Sequence, residues 1–254
     1  MTSTTKVALV TGASRGIGLE TALALAEQNY SVFLSAEGTA EELAEAEAEA
    51  ECRRRGAPDA AHGIVDLSVS GEAERMVAVA LERFGRVDVL VNNAGIRCRK
   101  AFGTFTREDF SRLMEVNLAA AFFASQAVLP AMRRQGGGRI IHIASQMGSV
   151  ASEDNALYGT SKAALIHLAR GMAFELSREG IQVNSVSPGP IATGFTLETY
   201  GRQPGKMEMM ASRVPVGRFG EPREVAEAIV FLATVKGGFI VGHDLVVDGG
   251  YIIH

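Results

Sequence analysis

The sequence predicts an α/β domain: a doubly wound, parallel seven-stranded sheet in the order 3-2-1-4-5-6-7, with helices on both faces. Three observations carry this. Short apolar runs alternate with longer alanine-rich or amphipathic stretches along the whole chain. A glycine-bearing turn joins the first run to the first such stretch. The 254 residues, 47% hydrophobic and 21% charged, suit one large layered core.

Val7-Ala8-Leu9-Val10 reads as a strand covered on both faces. The turn Thr11-Gly12-Ala13-Ser14-Arg15-Gly16-Ile17-Gly18 follows, then a helix from Leu19 to Gln28. In that setting Gly12 permits the tight turn and Gly16 lets a diphosphate approach the backbone. Gly18 lets the helix pack on its strand, while free N–H groups at the helix start, around Ser14, Arg15 and Ile17, face the anion. Ser31 to Ser35 is the second strand. Ala36 occupies the position of the acidic residue that commonly reads the adenosine ribose, with Glu37 just beyond. A carboxylate at Glu37 would accept from a ribose 2′-hydroxyl, whereas Arg15 would pair with a 2′-phosphate. Those two signals oppose each other, so the sequence leaves NAD and NADP equally open.

Thr39-Ala40-Glu41-Glu42 forms a capping box at the head of a solvated helix running to about Arg55. His62 to Val65 is the third strand, with Asp66 and Leu67 at its end, where a side chain would meet adenine. A helix from Ser70 to Phe84 leads to the fourth strand, Val87 to Val91, and then to Asn92-Asn93-Ala94-Gly95. Small residues there let backbone pass close to a cofactor. Thr106 to Gln135 reads as mostly helical, with Pro130 bending its last turns. Asn117 inside it is either a satisfied core amide or a residue that disturbs the helix and holds a water. Arg139 to Ala144 is the fifth strand, and Ile181 to Val186 the sixth. The sixth ends in Ser187-Pro188-Gly189-Pro190-Ile191-Ala192-Thr193. Residues 190–214, polar and carrying Met207, Met209 and Met210, read as a lid over the substrate. A helix from Glu221 to Thr234 and a strand from Asp244 to Val247 close the pattern. No linker, repeat or boundary interrupts it, so residues 1–254 read as one domain.

A formal net charge of -4 gives no support to nucleic-acid binding. Five histidines lack metal-ligand spacing, and the two cysteines, Cys52 and Cys98, suit free thiols in a reducing compartment. No signal peptide or continuous apolar span is read, so a soluble, cytoplasmic protein without metal or membrane is expected.

The chemistry concentrates at Tyr158-Gly159-Thr160-Ser161-Lys162, thirteen residues beyond Ser145. On a helix, Tyr158 and Lys162 share one face. An ammonium beside a phenol favours the phenolate and makes the tyrosine a proton donor and acceptor near neutral pH. Ser145, at the end of its strand, would hydrogen-bond the oxygen on which Tyr158 acts.

Taken together, Thr11-Gly12-x-x-x-Gly16-x-Gly18, Asn92-Asn93-Ala94-Gly95, Asn117, Ser145, Tyr158-x-x-x-Lys162 and Pro188-Gly189 resemble the short-chain dehydrogenase/reductase family over nearly the whole chain. The resemblance implies a Rossmann domain, a bound NAD(P) and hydride transfer between nicotinamide and a secondary alcohol or ketone. It implies a tetrad of Asn117, Ser145, Tyr158 and Lys162, with Lys162 holding the nicotinamide ribose. It also implies a homotetramer, for which Ala119-Ala120-Ala121, the helix after Tyr158 and the apolar ending Tyr251-Ile252-Ile253 offer faces.

Arg97 and Arg99, with Lys100, would hold a substrate carboxylate or phosphate at the pocket mouth, or form a solvated loop. Gln146 would bond a polyol or line the wall. This stretch, Ser145-Gln146-Met147 and the Val241-to-Gly250 ending are similar to bacterial gluconate 5-dehydrogenases and 2-deoxy-gluconate 3-dehydrogenases, which act on sugar acids. A 3-oxoacyl-thioester reductase is the alternative, and a non-catalytic dinucleotide-binding scaffold the alternative of another class.

Overall fold

Ala8, Leu9 and Val10 on the first strand have no solvent exposure, because strands flank it on both edges and helices cover both faces. The computed structural model of the chain describes residues 5–37, 48–194, 196 and 205–253. The elements run β1 (Val7–Thr11), α1 (Gly16–Glu27), β2 (Ser31–Ala36), α2 (Ala48–Arg54), β3 (Ala60–Ile64), α3 (Glu72–Phe84) and β4 (Val89–Asn92). They continue as α4 (Arg107–Met114), α5 (Ala120–Arg134), β5 (Gly138–Ile143), α6 (Ala156–Leu176), β6 (Ile181–Pro188), α7 (Lys206–Ala211), α8 (Pro222–Thr234) and β7 (Asp244–Val247). All seven strands form one parallel sheet in the order β3-β2-β1-β4-β5-β6-β7, as the alternation predicts.

The period of two along β1 divides the core. Ala8 and Val10 pack with Ala22, Leu25, Ile229 and Leu232 from α1 and α8 on one face. Leu9 packs with Phe33, Met76, Val77, Val128 and Met132 on the other, under α3 and α5. Each buried Leu or Ile contributes about 1.5–3 kcal/mol relative to exposure. β7, half-buried along its length, is an edge.

Several boundaries differ from expectation. β3 starts at Ala60 and stops at Ile64, because its pairing with β2 runs from Val32↔Ala60 to Ala36↔Ile64. The strand expected from Val87 begins at Val89; Val87 is buried but lies ahead of the ladder. The helix expected from Thr106 to Gln135 is three segments, since Glu115–Ala119 is π-helical. Pro130 lies inside α5. The run Arg107–Arg134 has a mean hydropathy of 1.3 over its most apolar stretch, of which 44% is buried in the domain. Its apolar residues, among them Leu113, Ala124, Val128 and Met132, serve the core. The Thr39 capping box and most of its helix lie outside the described residues, as do 195 and 197–204 of the stretch read as a lid; the end of that stretch forms α7.

Candidate active site

The parallel strands bring β1, β4, β5 and β6 to a common C-terminal edge, where a cavity of about 730 Å³ opens. Its wall holds Ser145 after β5, Tyr158 and Lys162 from α6, Asn93 and Gly95 after β4, and Pro188, Gly189, Ile191 and Thr193 after β6. Arg15, Ile17, Arg97, Arg99 and Gln146 also line it. Asn117 stands behind Gly95: a Cβ on that glycine would lie 3.4 Å from Asn117 Oδ1 and 3.2 Å from Lys162 Nζ.

Lys162 is buried and donates to the Ile143 carbonyl at 2.8 Å, which ties α6 to the end of β5. Its ammonium sits 5.8 Å from the centre of the Tyr158 ring, while the guanidinium carbon of Arg97 is 4.8 Å from the same ring. Burial pushes the Tyr158 phenol up, but Lys162 and Arg97, with hydrogen bonding from Ser145 and Arg97, outweigh it and hold the phenol below its ordinary value. Burial likewise holds the Lys162 ammonium below the usual lysine range, against the pull of Tyr158. Ser145 Oγ accepts from the Met147 N–H at 3.2 Å, which fixes the hydroxyl beside the Tyr158 phenol that it hydrogen-bonds.

The side chain of Asn117 is spent on its neighbours. Its Oδ1 accepts from the Ile96 N–H at 2.8 Å, and its Nδ2 donates to the Ile96 carbonyl at 3.0 Å and to Ser161 Oγ at 3.1 Å. Both readings offered by the sequence are therefore partly met: the amide is satisfied, and the helix around it is disturbed into a π turn.

The turn after β1 fits a dinucleotide. Gly12 and Gly16 have φ of 62° and 58°, a backbone conformation that favours glycine. A Cβ on Gly18 would come within 2.1 Å of the Gly12 carbonyl oxygen, so only glycine lets α1 start there. No side chain caps the first turn of α1, which leaves its N–H groups to an anion. Thr11 Oγ1 accepts from the N–H groups of Asn93 and Ala94, both at 2.9 Å, locking the β1 turn to the loop after β4. Ser14 lies in that turn. Glu37, Asp66 and Leu67 stand beyond the cavity, at the ends of β2 and β3: Glu37 is exposed, Asp66 accepts from Ser68, and Leu67 is buried in the core.

Sequence reasoning missed Asn155, Tyr251, Arg112 and Arg213 on the cavity wall. Asn155 lies three residues before Tyr158, a signal that was available. Tyr251 reads as part of an apolar tail, and only the turn held by Asp248, which accepts from the Gly250 and Ile252 N–H groups, carries it to the cavity.

The profile of the family described as enoyl-(acyl carrier protein) reductase matches residues 12–252. The chain is a short-chain dehydrogenase/reductase. It is therefore an NAD(P)-dependent oxidoreductase acting on alcohol- or ketone-type substrates. Among its relatives is L-rhamnose 1-dehydrogenase (NAD(P)(+)) of Azotobacter vinelandii, 40% identical over 98% of this chain and 97% of that one. The 3-oxoacyl-[acyl-carrier-protein] reductase of Vibrio cholerae is 37% identical over 96% of each chain. Among solved structures, acetoin dehydrogenase from Enterobacter cloacae superposes with a TM-score of 0.89 at 31% identity, covering 99% of this short-chain dehydrogenase/reductase and 97% of that chain. These relatives carry the family; the narrower likeness to gluconate dehydrogenases rests on sequence motifs alone.

Proposed function

We propose that this enzyme interconverts a hydroxylated, acid-bearing alcohol and its ketone, with Tyr158 as the proton-transfer residue. The observation that carries the reading is the buried Tyr158–Lys162 pair at the cavity wall, with Ser145 beside it. A nicotinamide, held by the turn after β1 and the loop after β4, would supply a hydride acceptor or donor when bound. In oxidation the Tyr158 phenolate takes the substrate hydroxyl proton as the carbinol hydride leaves; in reduction the phenol returns that proton to the new alkoxide. Ser145 donates to the same substrate oxygen and fixes its position. Lys162 favours the phenolate by its charge. Asn117 clamps the Ile96 backbone and so sets the loop after β4.

Several features support a sugar acid or polyol. The cavity is rimmed by cations, the Gln146 amide lines it, and one relative is named for L-rhamnose. A 3-oxoacyl thioester is the second reading, favoured by the relative named for that substrate. Comparing turnover of gluconate and 5-ketogluconate with that of an acetoacetyl thioester separates them. Arg15 at the cavity and Glu37 at the end of β2 leave both NAD and NADP in play, so each substrate is assayed with each cofactor.

Tyr158→Phe keeps the ring and removes the proton. The expected result is a fall in turnover of about 10²–10⁴-fold with cofactor binding, read by nicotinamide fluorescence, retained. Wild-type turnover in that variant overturns the assignment.

We further propose a homotetramer in the cytoplasm, with the described residues of the stretch read as a lid, among them Thr196, Met209 and Met210 on the cavity wall, covering the substrate. Two unpaired thiols, Cys52 and Cys98, favour a reducing compartment. Of the faces first expected to carry assembly, Ala120, Ala121, Leu165 and Ala169 turn into the protein's own core, while Ala119, Ala164 and Leu168 line an apolar groove of about 650 Å³ and Ile253 is exposed. Phe122 and Phe123, 45% and 42% exposed, line the same groove, which suits a second copy.

A further inference from the structure

The loop after β4 delivers one cation to the reacting group itself. Asn117 grips the Ile96 backbone on both its N–H and its carbonyl, so the Cα of Arg97 is held as firmly as the helix behind it. From there the guanidinium lies over the Tyr158 ring, its carbon 4.8 Å from the ring centre. Arg97 has no carboxylate partner among the described residues. Its neighbour Lys100 does, in Asp109, which also lines the cavity.

A guanidinium against a phenol has donors left over, and it presents them beside the atom that handles the substrate proton. We infer that Arg97 is a specificity-determining residue that binds an anionic group of the substrate. The substrates singled out are hydroxy acids and their oxo forms, not neutral esters or thioesters. This rests on the proposed role of Tyr158 and narrows it.

Binding an anion there also neutralises one of the two cations acting on Tyr158. The other charged or titratable groups around this ring are Lys162 from α6, Cys98 in the same loop and Tyr251 from the C-terminal turn. Arg112 on α4 and Glu153 ahead of α6 line the wider cavity.

The test uses cofactor-loaded enzyme, wild type, Arg97→Gln and Arg97→Lys, with 2-, 3- and 5-hydroxyhexanoate and the methyl ester of each. In parallel, the phenolate absorbance of Tyr158, obtained by subtracting Tyr158→Phe, is titrated with and without acetate. The expected result is preference for each acid over its ester. Arg97→Gln should lower kcat/KM on the preferred acid about 10–100-fold more than on its ester, with Arg97→Lys between the two. Acetate should raise the phenolate midpoint in the wild type and leave it unmoved in Arg97→Gln. Preference for an ester, an equal loss on acids and esters, or a midpoint indifferent to acetate overturns the inference. Should no hexanoate turn over, the acetate titration decides alone. Full activity in Tyr158→Phe would instead strike at the role of the tyrosine and leave the acid-to-ester ratio to decide for or against Arg97.

Discussion

At Tyr158 burial and charge act in opposite directions, and the sign of their sum sets the chemistry. Burial favours the neutral phenol, yet Lys162 and Arg97 bring the group below its ordinary value of 10.0. Oxidation needs the phenolate, so its rate rises as pH climbs through that lowered value; reduction needs the phenol and falls over the same range. His142, one strand position before Ile143, carries a different pH dependence. It is fully buried, and burial with the nearby Lys162 charge brings its imidazole down to about 4 from 6.5. An unfolded chain takes up that proton near pH 6.5 and the folded one only near 4. Stability present above pH 6.5 is therefore lost as pH falls through this window, by roughly 3 kcal/mol. Urea unfolding of His142→Asn should lack that loss; an acid limb identical to wild type contradicts it. Tyr158, Lys162 and Ser145 were legible in the sequence because each depends on local geometry: a helical turn, or the end of an apolar run. Arg97 over the ring was not, since its place depends on a clamp from Asn117, 21 residues along the chain at Ile96.

Helix α1 shows how an element is held by what it lacks. Gly18 was legible as the residue that lets helix and strand meet, and the Gly12 carbonyl stands where a Cβ would go. Gly18→Ala must push α1 off β1, at a cost of about 1–3 kcal/mol or more, read as a lower midpoint in chemical unfolding. An unchanged midpoint contradicts the packing. At the other end of the helix, Glu27 pairs with Arg223 of α8 and with Arg55. The Arg223 hydrogen bond, then Arg55, brings its carboxyl to about 2 from 4.5, against burial. Its stabilisation is present above pH 4.5 and fades as pH falls towards 2; the pair is largely exposed, so Glu27→Gln should cost no more than about 1 kcal/mol. The π turn at Glu115–Ala119 was not legible as such, because the asparagine pattern says that bonding is disturbed without saying how.

The sheet order follows from alternation and right-handed crossovers, and this much of the molecule could be read in advance. Where the chain turns its apolar surface outward could not, since alanine-rich stretches look alike whether they face the core or a neighbour. Phe122 and Phe123 stand partly exposed on α5. Sedimentation velocity should find a tetramer for the wild type and smaller species for Phe122→Glu; a wild-type monomer contradicts the assembly. Across the whole molecule, one sheet edge gathers a dinucleotide turn from β1, a serine from β5 and a cation-charged phenol from α6. The most direct test is the pH profile of kcat/KM for oxidation in the wild type and in Lys162→Met. A limb below pH 10 that moves upward, with lost activity, when the ammonium is removed is the predicted result. A limb that stays where it was would contradict it.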